Sequence, residues 1–224
     1  MKTFNLLGTP LLATTYDELT AHAQALAQRG GTYAIDLTNT HIVTLRRQDP
    51  HFREITSRFD HFIPDGMPLI WCLNARGAGL RDRVYGPTFM RRCMEASPAP
   101  WTHYLLGGAA ECVAALQQRF ANLSPPPQIV GARDGYFSPN DEAEIVAEIN
   151  RLSPNFIWIG LGTPKQQDWV HRHKDEIKRG VLFAVGFAFD VNAGLKRDAP
   201  GWMQRGGLTW IYRAFSEPGR LLTR

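Results

Sequence analysis

Along the chain, short unbroken apolar runs alternate with longer stretches in which apolar residues recur every three or four positions. The runs predict strands at 33–37, 61–64, 103–106, 128–131, 156–161 and 181–187. The periodic stretches predict helices at 15–29, 41–58, 66–76, 86–96, 110–122, 139–152 and 164–178. Continuous apolar strands must be covered on both faces, and helices between them supply the cover. The pattern therefore predicts an α/β, Rossmann-like fold with a mainly parallel sheet and flanking helices. The longest apolar run, 181–189, is under half of the roughly 20 residues a membrane-spanning helix needs, and it reads as a buried strand.

Two helix starts are well marked. Ser138-Pro139-Asn140-Asp141 and Thr163-Pro164-Lys165-Gln166 each offer a hydroxyl cap, a proline at the first helical position and an acceptor beyond it. The second follows a strand and Gly160-Leu161-Gly162, so its helix N-terminus opens at the carboxyl edge of the sheet, where α/β proteins bind ligands. From Gly194 the character changes. Lys196, Arg197, Arg205, Arg213, Arg220 and Arg224 face only Asp198 and Glu217 as acids. Leu208, Ile211, Tyr212 and Phe215 form an amphipathic stripe, with Trp202 and Trp210 close by. The chain is thus expected to divide into a core, 1–194, and a short, basic, Trp-rich helical appendage, 195–224. The stripe fits a helix docked on the core; it equally fits an interfacial segment, with Arg for anionic headgroups and aromatic rings for the boundary.

The 224 residues suit one good-sized domain, and 44% hydrophobic with 21% charged residues excludes a disordered chain. A formal charge of +4 does not call for nucleic acid, yet it is compatible with an anionic substrate or membrane surface. The three cysteines, at 72, 93 and 112, form no Cys-x-x-Cys and cannot all pair, which fits a reducing cytosol. The N-terminus lacks the long apolar region of a secretory signal. No repeat is present, and Ser124-Pro125-Pro126-Pro127 reads as a stiff turn.

The residues with chemistry gather at predicted strand ends. Gly160, Gly162, Thr163 and Lys165 combine close backbone approach, free helix N–H groups and a cation, a candidate anion cradle distinct from the Walker and dinucleotide fingerprints. Gly107-Gly108 makes a second, weaker strand-to-helix turn. Asp65 follows a short strand, and Asp190 follows the 181–189 run. Asp36 lies near a strand end with no role assigned. Arg83 precedes a turn into a helix and can point inward toward an anion, whereas Arg76 and Arg81 read as a solvated loop. No metal site is expected: His171 and His173 face different directions, and no Asp-x-Asp is present. No Gly-x-Ser-x-Gly elbow supports hydrolase chemistry.

Phe62-Ile63-Pro64-Asp65-Gly66-Met67-Pro68, Arg83-Val84-Tyr85-Gly86, Ile159-Gly160-Leu161-Gly162-Thr163-Pro164-Lys165-Gln166, Gly186-Phe187-Ala188-Phe189-Asp190 and Trp210-Ile211-Tyr212-Arg213 occur in an order that closely resembles the WecG/TagA/CpsF family of bacterial glycosyltransferases. The likeness runs from about Tyr33 to the C-terminus. It implies an inverting, metal-independent transfer, without cofactor, from a UDP-sugar to a polyprenyl-diphosphate-linked saccharide in surface polysaccharide synthesis. The implied location is the cytoplasmic face of the plasma membrane, met by the appendage, with association into oligomers left open. By resemblance Asp65 matches the catalytic base, and Gln166 and Arg83 match pocket residues. Asn39 matches a pocket asparagine, Tyr136 and Asp190 lie near the nucleotide, and Arg213 and Arg220 match the appendage arginines. Two positions depart from the family pattern. Leu37 stands where many members carry Thr, so that Thr38 or Thr40 is expected to substitute, and Gln167 stands where the motif usually continues with Glu. Members use N-acetylmannosamine, its uronic acid or glucose, and the residues favour none of them.

This chemistry needs a base for the acceptor hydroxyl and cations or helix ends for the departing diphosphate. Asp65 suits the first role; Arg83, Lys165 and the 164–178 helix suit the second. A nucleotide-cofactor oxidoreductase or epimerase lacks the fingerprint after the first strand, and a purely membrane-binding module leaves Asp65, Gln166 and Arg83 idle.

Overall fold

A computed structural model describes residues 1–96 and 100–216. Among them the six predicted runs and an N-terminal hairpin assemble one eight-stranded sheet in the order β1-β2-β4-β3-β8-β7-β5-β6. Its strands are β1 (Lys2–Leu6), β2 (Thr9–Ala13), β3 (Gly31–Thr38), β4 (His61–Pro64), β5 (Thr102–Gly107), β6 (Gln128–Arg133), β7 (Phe156–Gly160) and β8 (Arg179–Ala184). All neighbours pair in parallel except β1 with β2. The expected Rossmann-like α/β architecture is the one observed.

Alternate residues of the central strands feed two cores. Ile35, Leu37, Phe156, Trp158, Val181 and Phe183 face one side, where they meet α1 (Tyr16–Arg29), α5 (Gly86–Ala96), α6 (Ala110–Ala121) and α9 (Ala188–Ala193). Ala34, Ile157, Ile159, Leu182 and Ala184 face the other, under α2 (Thr40–Gln48), α4 (Met67–Asn74), α7 (Glu142–Leu152) and α8 (Lys165–His173). This period of two is the ordinary consequence of the pleat.

Several elements differ from the sequence reading. The N-terminal hairpin was not expected. Its two-residue turn puts Leu7 and Gly8 at φ 53 and 85, and the Asn5 side chain accepts from the Gly8 N–H at 2.9 Å. Asn-Gly or Asp-Gly is the usual signal for such a turn, and a leucine at its first position conceals it. The single helix foreseen over 41–58 is broken: α2 ends before Asp49, which caps α3 (Pro50–Ile55), and a 3-10 turn follows. A residue preceding proline disfavours helical backbone. Strand β8 stops at Ala184, so Asp190 lies inside α9 rather than at a strand end; Gly186, at φ 48, turns the chain. Ser138 and Asp141 do form the foreseen capping box. Thr163 does not cap: α8 begins at Lys165 without a side-chain cap, after a cis Thr163–Pro164 peptide.

The segment after Gly194 carries α10 (Gly201–Arg205) and α11 (Thr209–Ser216), the latter on the predicted stripe. It is fastened to the core side by side with α4 and the 83–85 segment. Tyr85 donates its hydroxyl to Asp198 at 2.8 Å, and Gln204 donates to the other oxygen of Asp198 at 3.1 Å. The Gly207 backbone lies so near the Trp71 ring that an added Cβ would fall 2.6 Å from it.

Candidate active site at the carboxyl edge of the sheet

Asp65 leaves β4 with its backbone N–H donated to the Thr38 carbonyl at 2.8 Å, extending the β3–β4 pairing by one rung. Its carboxylate accepts the Gly86 N–H at 3.3 Å, the first residue of α5. The start of that helix sets a partial positive charge beside the carboxylate. Asn39 follows β3 and caps α2 by accepting the Ile42 N–H at 3.2 Å. Gln166 stands in the first turn of α8, 3% exposed, and its Oε1 has no hydrogen-bond partner. These three side chains, with Gly162 and Thr163, line one cleft with an enclosed volume of about 60 Å³.

The same cleft is lined by His41 and Phe187, which the sequence reading did not single out. His41 sits next to Thr40 in the first turn of α2, and the histidines had been weighed only as metal ligands. Phe187 had been absorbed into an overlong strand. The signal that identifies it is Gly186, whose positive φ ends the extended backbone.

Other predicted residues are placed differently. Thr38 is fully buried and donates its hydroxyl to the Asp36 carboxylate at 2.5 Å, and Thr40 is exposed on α2. Neither lines the cleft in place of the threonine that Leu37 replaces. The reason is the pleat: Leu37 and Thr38 point to opposite faces, so the hydroxyl cannot move one position along and keep its direction. Arg83 turns inward as expected but is 6% exposed and does not line the cleft. Its guanidinium donates to the Asp65 carbonyl at 3.3 Å, to Gln204 at 3.4 Å and to Thr209 at 3.5 Å, and it stacks 4.1 Å over the Tyr85 ring. It joins Asp65 to the C-terminal segment. The Arg213 side chain and Arg220 lie outside the described residues.

Further along the same edge β5 and β7 run side by side, and the chain crosses outward from β5 to β6 and inward from β7 to β8. Such a reversal of direction is where open α/β sheets form their ligand crevice. Gly107 and Gly160 pair across it, and a Cβ on Gly107 would fall 2.4 Å from the Gly160 carbonyl carbon. Gly108, at φ 69, leads into α6, whose N-terminus has no side-chain cap. Lys165 reaches this rim rather than the cleft, donating to the Gly135 carbonyl at 2.8 Å with its ammonium 4.7 Å from the Phe137 ring centre. Tyr136, on the same loop, is 84% exposed. Asp190 flanks the crevice from α9, paired with Lys196 at 3.1 Å, and accepts the Cys112 thiol at 3.9 Å. Burial, reinforced by the Asp190 charge, pushes that thiol up to about 11.

Asp36 is fully buried on the helix α8 side of the sheet. Burial pushes its carboxyl up to about 6, against hydrogen bonds from Thr38 and Gln167 and the nearby Arg46 charge. Gln167 donates to it at 2.8 Å. The amide at 167 is therefore what a buried carboxylate requires opposite it, since a second acid there would repel it.

Cleft and crevice are parts of one edge. Three sheet spacings, about 14 Å, separate the end of β4 from the end of β7. A carboxylate at one end and paired glycines with a cation and an uncapped helix at the other suit an elongated ligand that carries its negative charge toward the second end. Among the described residues no helix is long and apolar enough to cross a membrane.

Two relatives, both N-acetylglucosaminyldiphosphoundecaprenol N-acetyl-beta-D-mannosaminyltransferases, come from Staphylococcus aureus strains MW2 and NCTC 8325. Each is 28% identical over 188 residues, covering 82% of this chain and 72% of the relative. The sequence profile of the glycosyl transferase WecG/TagA/CpsF family matches residues 4–224, from within β1 to the last residue. By that match the chain belongs to the WecG/TagA/CpsF family of glycosyltransferases.

Proposed function

We propose that this chain transfers a sugar, with inversion and without a metal, from a UDP-sugar to a polyprenyl-diphosphate-linked saccharide in surface polysaccharide synthesis. The names of the relatives favour N-acetylmannosamine as the sugar and a diphosphoundecaprenol-linked N-acetylglucosamine as the acceptor. The observation that carries the reading is the Asp65 carboxylate, held against the start of α5 and lining the cleft that Gln166 also lines. In the transfer Asp65 removes the acceptor hydroxyl proton as that oxygen attacks the anomeric carbon from the face opposite the departing UDP. Gln166, with its unpartnered Oε1, accepts a hydrogen bond from a sugar hydroxyl. The β5–β7 crevice takes the nucleotide, with Tyr136 and Asp190 beside it, while Lys165 and the N-termini of α6 and α8 share the diphosphate charge.

The appendage, 195–224, carries the protein to the inner face of the membrane, and through Gln204 and Thr209 it meets Arg83 beside the site. Trp71, Trp202 and Phe215 are 53, 63 and 85% exposed on α4, α10 and α11, an arrangement suited to the lipid boundary. The test is UDP release with a panel of UDP-sugars and a short-chain lipid-diphosphate sugar acceptor. Asp65→Asn is expected to lower kcat by about 10²–10⁴-fold with the melting temperature kept. A folded Asp65→Asn protein with normal turnover would refute the base assignment.

A further inference from the structure

Asp36 lies outside the cleft, yet its carboxylate is tied to both of the residues on which the proposed chemistry depends. One oxygen accepts the Thr38 hydroxyl at 2.5 Å, and the carbonyl of Thr38 holds the Asp65 N–H at 2.8 Å. The other oxygen accepts the Gln167 amide at 2.8 Å, and Gln167 is the neighbour of Gln166. We infer that Asp36 is a positioning residue that sets Gln166 and Asp65 relative to each other through Gln167 and Thr38, an inference resting on the cleft being the site of transfer.

The geometry of α8 shows why one contact suffices. Successive residues of a helix project about 100° apart, so fixing the direction of Gln167 fixes that of Gln166. No side chain caps this helix, so its phase depends on such lateral contacts. Gln167 is fully buried and its Oε1 has no partner. A buried amide satisfied on one side only is destabilising. An apolar residue would fill the same space without that cost, but it would not bridge α8 to β3. Asp36, likewise fully buried, is an equally poor choice for stability alone. The pair makes sense as a brace between the strand that carries Asn39 and supports Asp65 and the helix that carries Gln166.

The test is an exchange. Gln167→Glu sets two carboxylates against each other, and adding Asp36→Asn recreates a carboxylate–amide pair with its ends reversed. Crystal structures and turnover of the single and double variants are compared, and Gln167→Met serves as a neutral variant of similar size. Gln167→Glu and Gln167→Met are expected to displace Gln166 by about 1 Å and to lower kcat by about 10²-fold. UDP affinity is expected to weaken in the same variants and to recover in the double variant, because α8 also carries Lys165 and the helix start assigned to the diphosphate. The double variant is expected to restore both the position and kcat. Unmoved Gln166 and Asp65 in the single variants, or a folded double variant that leaves them displaced, would overturn the inference. Positions are read without any assay, so an absence of UDP-sugar turnover in the wild type would count against the proposed function and leave this inference to the crystals.

Discussion

Two buried groups make the stability of this protein respond to acid in opposite directions. His103, at the start of β5, is fully buried; its Nδ1 accepts the Trp158 indole N–H at 3.1 Å, and burial lowers it from 6.5 to about 4. Between those values the unfolded chain binds a proton that the folded chain refuses, so stability is lost as pH falls. At about 1.4 kcal/mol per pH unit the loss amounts to about 3 kcal/mol. Asp36 behaves conversely. Its carboxyl is raised from 3.8 to about 6, so the folded chain binds a proton first and stability is gained as pH falls through that window. That gain is also about 3 kcal/mol. The groups sit on strands three spacings apart, about 14 Å, and act independently. The wild type is therefore expected to show a shallow slope between about pH 4 and 6.5 from these two groups. His103→Gln, which keeps an acceptor for Trp158, is expected to grow more stable on acidification, and Asp36→Asn to lose stability steeply. Urea unfolding followed by tryptophan fluorescence at constant ionic strength measures all three slopes. Parallel slopes for the wild type and both variants would refute the reasoning.

Other outcomes follow from single contacts. Gly160→Ala places a Cβ 2.4 Å from the Phe189 ring and is expected to cost about 1–3 kcal/mol by urea unfolding, with part of the loss recovered when Phe189→Leu is added. Tyr85→Phe removes the hydroxyl that holds Asp198 and is expected to cost about 1 kcal/mol in docking of the C-terminal segment. The readout is roughly fivefold faster tryptic cleavage at the exposed Lys196–Arg197 pair; an unchanged rate would show that this hydrogen bond does not restrain the segment. His22 and His61 meet through their Nε2 atoms at 2.9 Å, and both are held below 6.5 by burial, so they add acid sensitivity. His22→Gln is expected to reduce the loss of melting temperature below about pH 6.5.

Much of the site was legible before the fold was known. Asn39 and the pocket role of Gln166 came from the resemblance to the family motifs, whereas Asp65 follows a short apolar run, and a parallel sheet delivers such positions to one edge. The strand centres were legible for the same reason. The leucine-led turn between β1 and β2 was not, because its positive φ is imposed by pairing across the hairpin. Nor was Arg83 legible as a link to Gln204 and Thr209, which lie 121 and 126 residues away in the chain.

By itself the sequence determined the six strands β3–β8, most of the helices between them and which ends of them carry chemistry. Both follow from the period of apolar residues over a few turns, which is a local property. Tertiary structure decided the rest: that Thr38 serves Asp36 instead of the cleft, that Lys165 serves the crevice, and that a buried carboxylate on β3 answers an amide on α8. Such choices depend on which face of the sheet a side chain meets and on what has been brought opposite it. Burial makes an unmatched polar group too costly to leave alone, and the partner that satisfies it is supplied by a distant part of the chain.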